Sequence, residues 1–173
     1  MPTPTPTFHL RFPAADIPRW AARYDAPYDD AVVPVAAAAR ARGWLTHDEL
    51  LAFGRWKSAR NVPRLRSNDP AYVEAVTAAA LSTPHERLRV EVLTLLSGVA
   101  WPMASVILHW CHAEPHPILD FRALWSVGLD PLPPYDYPLW QAYTAYCRQL
   151  AGGVGGSMRV VDRGLWQYSK EKQ

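Results

Sequence analysis

The stretch Leu95-Leu96-Ser97-Gly98-Val99-Ala100-Trp101-Pro102-Met103-Ala104-Ser105-Val106-Ile107-Leu108-His109-Trp110-Cys111-His112 decides how the rest of the chain reads. An apolar helical run arrives from about Leu88 and ends at Ser97-Gly98, a short turn follows, and Pro102 opens a second apolar run to about Cys111. Glycine tolerates the left-handed backbone that closes a helix, and proline suits the first helical position, where the amide it lacks has no intrahelical partner. The punctuation predicts a helical hairpin over 88–112. After a loop broken by Pro115 and Pro117, a lone acid, Asp120, precedes another apolar helical pattern, Phe121-Arg122-Ala123-Leu124-Trp125. An acid at that point can cap a helix or act on a substrate.

These residues resemble the helix-hairpin-helix DNA glycosylase superfamily, whose hairpin usually reads Leu-Pro-Gly-Val-Gly and whose catalytic aspartate follows in a loop after the second hairpin helix. Ser97-Gly98-Val99-Ala100 stands where the family has its hairpin, and Asp120 stands 22 residues after Gly98, at the family spacing. The match covers about forty residues strongly. Two positions depart from the pattern: the second hairpin glycine is Ala100, and Pro102 occupies the place where bifunctional members carry a Schiff-base lysine. The resemblance therefore implies either a monofunctional, hydrolytic glycosylase or a relative without chemistry. It also implies two small helical lobes with a cleft between them, and duplex DNA as the partner.

Outward from the hairpin, the chain reads as helical almost throughout. Thr46 with Glu49 three residues on forms a capping-box pattern before Leu50, Leu51 and Phe53, and Thr83 with Glu86 repeats it before Leu88, Val92 and Leu95. Asp69-Pro70 begins a helix that runs to about Leu81, and the alanine-rich segment 31–41 is another, with Pro34 in its first turn. Apolar residues at three- and four-residue spacing predict helices over 121–127, 138–150 and 158–169. Gly152-Gly153-Val154-Gly155-Gly156 follows no strand and lacks the Lys-Ser/Thr ending of a phosphate loop, so it reads as a linker. No alternating strand and no internal repeat occurs. The expected fold is all-α: an extended lead-in at 1–13 and a single helical domain over 14–173.

A chain of 173 residues is long enough for a substantial core, and 49% hydrophobic with 20% charged residues is a globular composition. No apolar run reaches the roughly 18 residues of a membrane span. Pro2-Thr3-Pro4-Thr5-Pro6 lacks the basic and apolar regions of a signal peptide. Two cysteines, Cys111 and Cys147, both in apolar helical patterns, suit a reducing cytoplasm. They cannot supply the four thiolates of an iron-sulfur cluster, so no cofactor is expected, although a hairpin of this kind leaves room for a monovalent ion.

A net charge of +2 does not by itself indicate nucleic-acid binding, so the distribution of charge must. Arg55, Lys57, Arg60, Arg64 and Arg66 fall together with no acid among them. Such a cluster can neutralise phosphates, or can be a solvated helix end whose cations face the helix dipole. The turn residues Gly98, Val99, Ala100 and Trp101 are the other candidate DNA contacts, because a tight turn feeding a helix N-terminus presents backbone amides to a phosphate without reading sequence. A glycosylase must also turn the damaged nucleotide out of the stack. One carboxylate can then stabilise the cationic sugar and orient a water, the role that the resemblance implies for Asp120. Trp20, Tyr24 and Trp44 are candidate walls of a base pocket, with core packing the default for any one of eight Trp residues. His109, Cys111, His112 and His116 lie close in sequence, but no second ligand pair at a recognisable distance completes a zinc site, and no metal is expected. Two further readings stay open: a noncatalytic DNA-binding hairpin protein, and a helical protein-interaction module.

Overall fold

The computed structural model describes residues 6–173, and among them every regular element is helical. The first half of the chain forms α1 (Ile17–Ala21), α2 (Val33–Arg42), α3 (His47–Ser58), α4 (Val62–Arg66) and α5 (Pro70–Ser82). The second half forms α6 (Glu86–Leu93), α7 (Trp101–Cys111), α8 (Phe121–Ser126), α9 (Tyr137–Val154) and α10 (Met158–Lys172). Short 3-10 turns precede α1, α2 and α4. No described helix is long and apolar enough to cross a membrane. The chain divides into two compact units, one made of Ala26–Glu114 and the other of Met1–Asp25 with Pro115–Gln173. The former is the inserted unit and the latter the terminal unit; Met1–Thr5, the first part of the expected lead-in, lie outside the described residues.

The inserted unit is built around α7. Met103 to Leu108 are all buried, as are Trp110 and Cys111, so this helix is covered nearly all round, as its largely apolar sequence, broken only by Ser105 and His109, requires. Burying Ile107 or Leu108 stabilises by about 2 kcal/mol each. At the start of α3 the expected capping box forms in full: Thr46 Oγ1 accepts from the Glu49 amide at 3.2 Å, and Glu49 Oε2 accepts from the Thr46 amide at 2.8 Å. Asp69 caps α5 by accepting from the Tyr72 amide at 2.9 Å. The buried side of α5, Val73, Val76, Thr77 and Ala80, follows helical spacing. Thr77 joins the packing through a hydrogen bond, its Oγ1 accepting from the Leu45 amide at 2.9 Å.

The second capping box does not form. Thr83 is the extended residue that closes α5, its Oγ1 accepts from the His85 amide at 3.2 Å, and α6 begins only at Glu86. The buried Arg89 donates to the Thr83 carbonyl at 3.1 Å and pairs with Glu114 at 3.0 Å, and these contacts hold Thr83 outside the helix.

The terminal unit joins the start of the described chain to its end. The backbone amides of His9 and Arg11 donate to the carbonyls of Val127 and Ser126, each at 3.0 Å, so the part of the lead-in from Pro6 on is tied down by the residues that end α8. Phe12 packs on Tyr168 at 4.3 Å between ring centroids, and Trp20 meets the same ring edge-on at 5.1 Å. The Ser126 hydroxyl donates to the Leu165 carbonyl at 2.6 Å, which fastens α8 to α10. The glycine run expected to be a linker is instead mostly helix: α9 continues through Gly152 and Gly153 to Val154. Glycine costs about 1 kcal/mol in a helix, and the buried Leu139, Trp140, Tyr143, Thr144 and Cys147 anchor α9 strongly enough to carry it past that cost.

Candidate nucleic-acid interface

The hairpin turn is shorter in helix and richer in tethers than its sequence suggests. α6 ends at Leu93 rather than at Ser97; the amides of Thr94, Leu95 and Leu96 each bond back three residues, and Gly98 turns the chain at φ +79°. Ala100 is then the extended cap of α7, and Pro102 takes the second helical position. A Cβ on Gly98 would stand 3.0 Å from Arg64 Cβ and 3.1 Å from the Leu65 amide nitrogen, so the turn lies directly on α4. Two carboxamides hold it there. Asn68, buried, donates to the Ser97 and Leu65 carbonyls at 2.9 Å and accepts from the Ser97 amide at 2.8 Å. Asn61 donates to the Gly98 carbonyl at 2.6 Å.

Beside this turn is a cleft of about 400 Å³ lined by Gly54, Lys57, Ser58, Asn61, Arg64, Gly98, Val99, Ala100, Pro102 and Met103. Its lining includes two cations and no acid. Among the described residues, the amides of Gly98, Ala100, Trp101 and Met103 meet no acceptor within the protein. These amides and the dipole of an 11-residue helix make the hairpin end of the cleft electropositive without any side chain. Sequence and structure thus bring together Gly98, Val99 and Ala100 with Lys57 and Arg64. Arg55, Arg60 and Arg66 are exposed but do not line the cleft, and Trp101 is half-buried at the first position of α7. From sequence, Asn61 reads only as interleaved with the basic residues of 55–66, and Asn68 carries no such mark. Each is a carboxamide followed within two residues by a proline in the first turn of a helix.

Asp120 belongs to the terminal unit. It caps α8, with Oδ1 accepting from the Arg122 amide at 2.9 Å, and remains half-exposed. The side chain of Arg122 turns elsewhere, 5.1 Å from the Phe121 ring and 5.9 Å from that of Trp166. Two phenols lie within reach of the Asp120 charge. Tyr135 is raised above its ordinary pKa by burial and then by Asp120; Tyr143 is raised well above by burial first, then by Cys147, Asp162 and Asp120. Trp20 and Tyr24, in this same unit, pack against α10: Trp20 on Tyr168, and Tyr24 edge-on to Trp166 at 5.6 Å. Trp44 is in the inserted unit under the Arg42 guanidinium, 4.3 Å from its ring centre. Within each unit the three aromatics thus have packing partners of their own.

The thiols are placed for packing. Burial pushes Cys111 up to about 12, against a smaller lowering by Arg40, and burial likewise raises Cys147. A neutral buried thiol is neither a ready nucleophile nor a metal ligand. Of the histidines near Cys111, His109 packs edge-on to Trp110 at 5.3 Å, and His116, in the terminal unit, stacks on Trp140 with an interplanar angle of 5°. Compared with protein-family models, curated proteins and solved structures, the chain matches none.

Proposed function

We propose that this chain binds duplex DNA through the hairpin cleft and hydrolyses the N-glycosidic bond of a damaged or modified base, with Asp120 as the catalytic carboxylate. The observation that carries the reading is the cleft itself: it is lined by Gly98, Ala100 and Met103, whose backbone amides meet no protein acceptor among the described residues, and by Lys57 and Arg64. A phosphate placed there gains charge-assisted hydrogen bonds and the helix dipole, neither of which depends on base sequence. Carboxamide donors engage the Ser97 and Gly98 carbonyls and brace the turn.

The chemistry follows from the resemblance together with the state of Asp120. Departure of the base leaves positive charge on the sugar carbon, which a carboxylate stabilises electrostatically while orienting or deprotonating the attacking water. The chain has three lysines. Lys57 is on the phosphate cleft and Lys170 and Lys172 are in the last turn of α10, so hydrolysis without a covalent imine is the expected route.

The capping bond of Asp120 supports a second reading, a DNA-binding protein that has kept the hairpin without catalysis. Incubation of the purified protein with duplexes that each carry one lesion, scored for abasic sites, separates the two. Abasic sites on any lesion support the glycosylase. Retained duplex binding with no abasic product across the panel leaves the binding protein.

A further inference from the structure

The outer side of α10 holds a pattern that the hairpin reading does not use. Met158, Val161 and Leu165 face the core, while Arg159, Arg163, Trp166 and Lys170 recur at intervals of four, three and four residues. At 1.5 Å per residue that stripe is about 16 Å long. The Tyr24 ring lies beside its first half, with the Arg159 and Arg163 guanidiniums 5.1 and 5.2 Å from the ring centre. Along its second half, the Lys170 ammonium stands 5.1 Å from the centre of Trp166. From α8, Arg122 places one guanidinium within 6 Å of both Trp166 and Phe121, and Phe121 is 49% exposed. Cations and rings therefore alternate across one surface of the terminal unit.

Two acids of α10 have partners of their own, while Asp120, half-exposed at the cap of α8, borders the surface beside Phe121. Asp162 is buried and paired with Arg159, and Glu171 is held by Arg23 at 2.7 Å and by Gln167 at 2.8 Å. An anionic membrane fits this surface poorly, because an interfacial helix needs a broad aliphatic face in contact with lipid. Here Met158, Val161 and Leu165 of α10 are in the core, Val160 is the one half-buried aliphatic side chain, and the outer stripe is made of rings and cations. A single strand of nucleic acid offers what this surface complements: phosphates at short regular intervals and unpaired bases with exposed π-faces.

We propose that Phe121 and Trp166, with Arg122, Arg163 and Lys170, form a platform for single-stranded nucleic acid. Bases stack on the two rings and the cations follow the backbone. The platform lies wholly within the terminal unit and is separate from the duplex contact assigned to the hairpin, so either can fail without the other.

The test uses the full chain and three probes: a fluorescent oligothymidylate, an undamaged duplex, and vesicles of mixed phosphatidylserine and phosphatidylcholine. Phe121→Ala removes an exposed ring and leaves the core intact, and Arg163→Ala with Lys170→Ala removes two surface charges. Each change should weaken oligothymidylate binding about tenfold, the scale of one lost base stack, while duplex affinity and the melting temperature stay within error of the parent. Oligothymidylate affinity unchanged in both variants overturns the proposal. So does binding to vesicles that these substitutions abolish while the oligothymidylate is ignored.

Discussion

The Asn61 carboxamide donates to the Gly98 carbonyl across 2.6 Å, and this bond ties the tip of the hairpin to the segment that carries Arg60 and Arg64. Asn61→Ala should lower stability by about 1 kcal/mol, the ordinary worth of such a bond, and weaken duplex binding because the cleft loses its brace. Asn61→Asp should weaken binding further, since a carboxylate would face both the carbonyl and the DNA phosphate. Urea melts and binding isotherms on the same samples check both. Equal duplex affinity in parent and Asp variant would remove the cleft from the interface.

Gly98 and Gly43 make a controlled pair. Both have left-handed backbones, φ +79° and +89°, but a Cβ at Gly43 meets nothing within 4 Å, whereas one at Gly98 meets α4 at 3.0–3.1 Å. Gly43→Ala should cost about 1 kcal/mol from backbone strain alone. Gly98→Ala should cost about 1 kcal/mol or more beyond that, because the hairpin must shift off α4. Denaturation midpoints of the two variants give the difference directly.

Phosphate contact has a salt signature. If Lys57 and Arg64 each neutralise one phosphate, the log-log dependence of duplex affinity on salt should flatten by about 0.9 for each replaced by Ala. The loss should be alike for all sequences, since backbone contacts position and do not specify. Arg55→Ala, outside the cleft, should change the slope much less. An unaltered slope in the Lys57→Ala, Arg64→Ala protein would make the basic stretch a solvated surface.

Asp120→Asn keeps the shape and most of the capping capacity of the side chain and removes its charge. Fold and duplex affinity should survive, while base excision falls by roughly two to four orders of magnitude. A thermal melt run beside the excision assay shows whether α8 still starts properly. Asp120→Ser, another good cap without charge, should lose excision equally. Excision at the parental rate in either folded variant makes Asp120 a cap only.

The buried thiol gives stability a pH dependence at the alkaline end. Cys111 rises from an ordinary 9.0 to about 12 on folding, so the unfolded chain releases its proton first. Its stabilising contribution is complete below pH 9 and is lost as pH climbs from 9 toward 12, at up to about 1.4 kcal/mol per pH unit. Cys147, raised in the same direction by burial, adds to the trend. Cys111→Ser cannot ionise in this range, so its stability should fall less steeply between pH 8 and pH 10 in urea titrations. Identical slopes would mean that Cys111 is accessible to water in the native state.

Most of the helices were legible because local chemistry and tertiary packing agree. Thr46 with Glu49, Asp69 with Pro70, and the spacing of Val73, Val76 and Ala80 each find in the fold what they request in the sequence. The misreadings lie where a distant residue wins. Thr83 has the sequence of a cap, but Arg89 and Glu114 hold it outside the helix. Gly152 and Gly153 have the sequence of a linker, but the apolar side of α9 carries them along. Of the site, Gly98, Lys57 and Arg64 could be named from position and charge alone. Asn68 could not, because its two bonds to Ser97 join segments 29 residues apart whose meeting no local pattern encodes.

The discontinuity of the terminal unit sets an order of events on the ribosome. Ala26–Glu114 is complete, with α7 at its centre, once residue 114 has emerged, whereas α1 must wait for α10, which emerges later, before Phe12 and Trp20 meet Tyr168. For the time taken to add some fifty residues the nascent chain therefore displays Phe12, Ile17 and Trp20 without the surface that later covers them. Chaperone capture of stalled chains should fall on that early segment rather than on the hairpin.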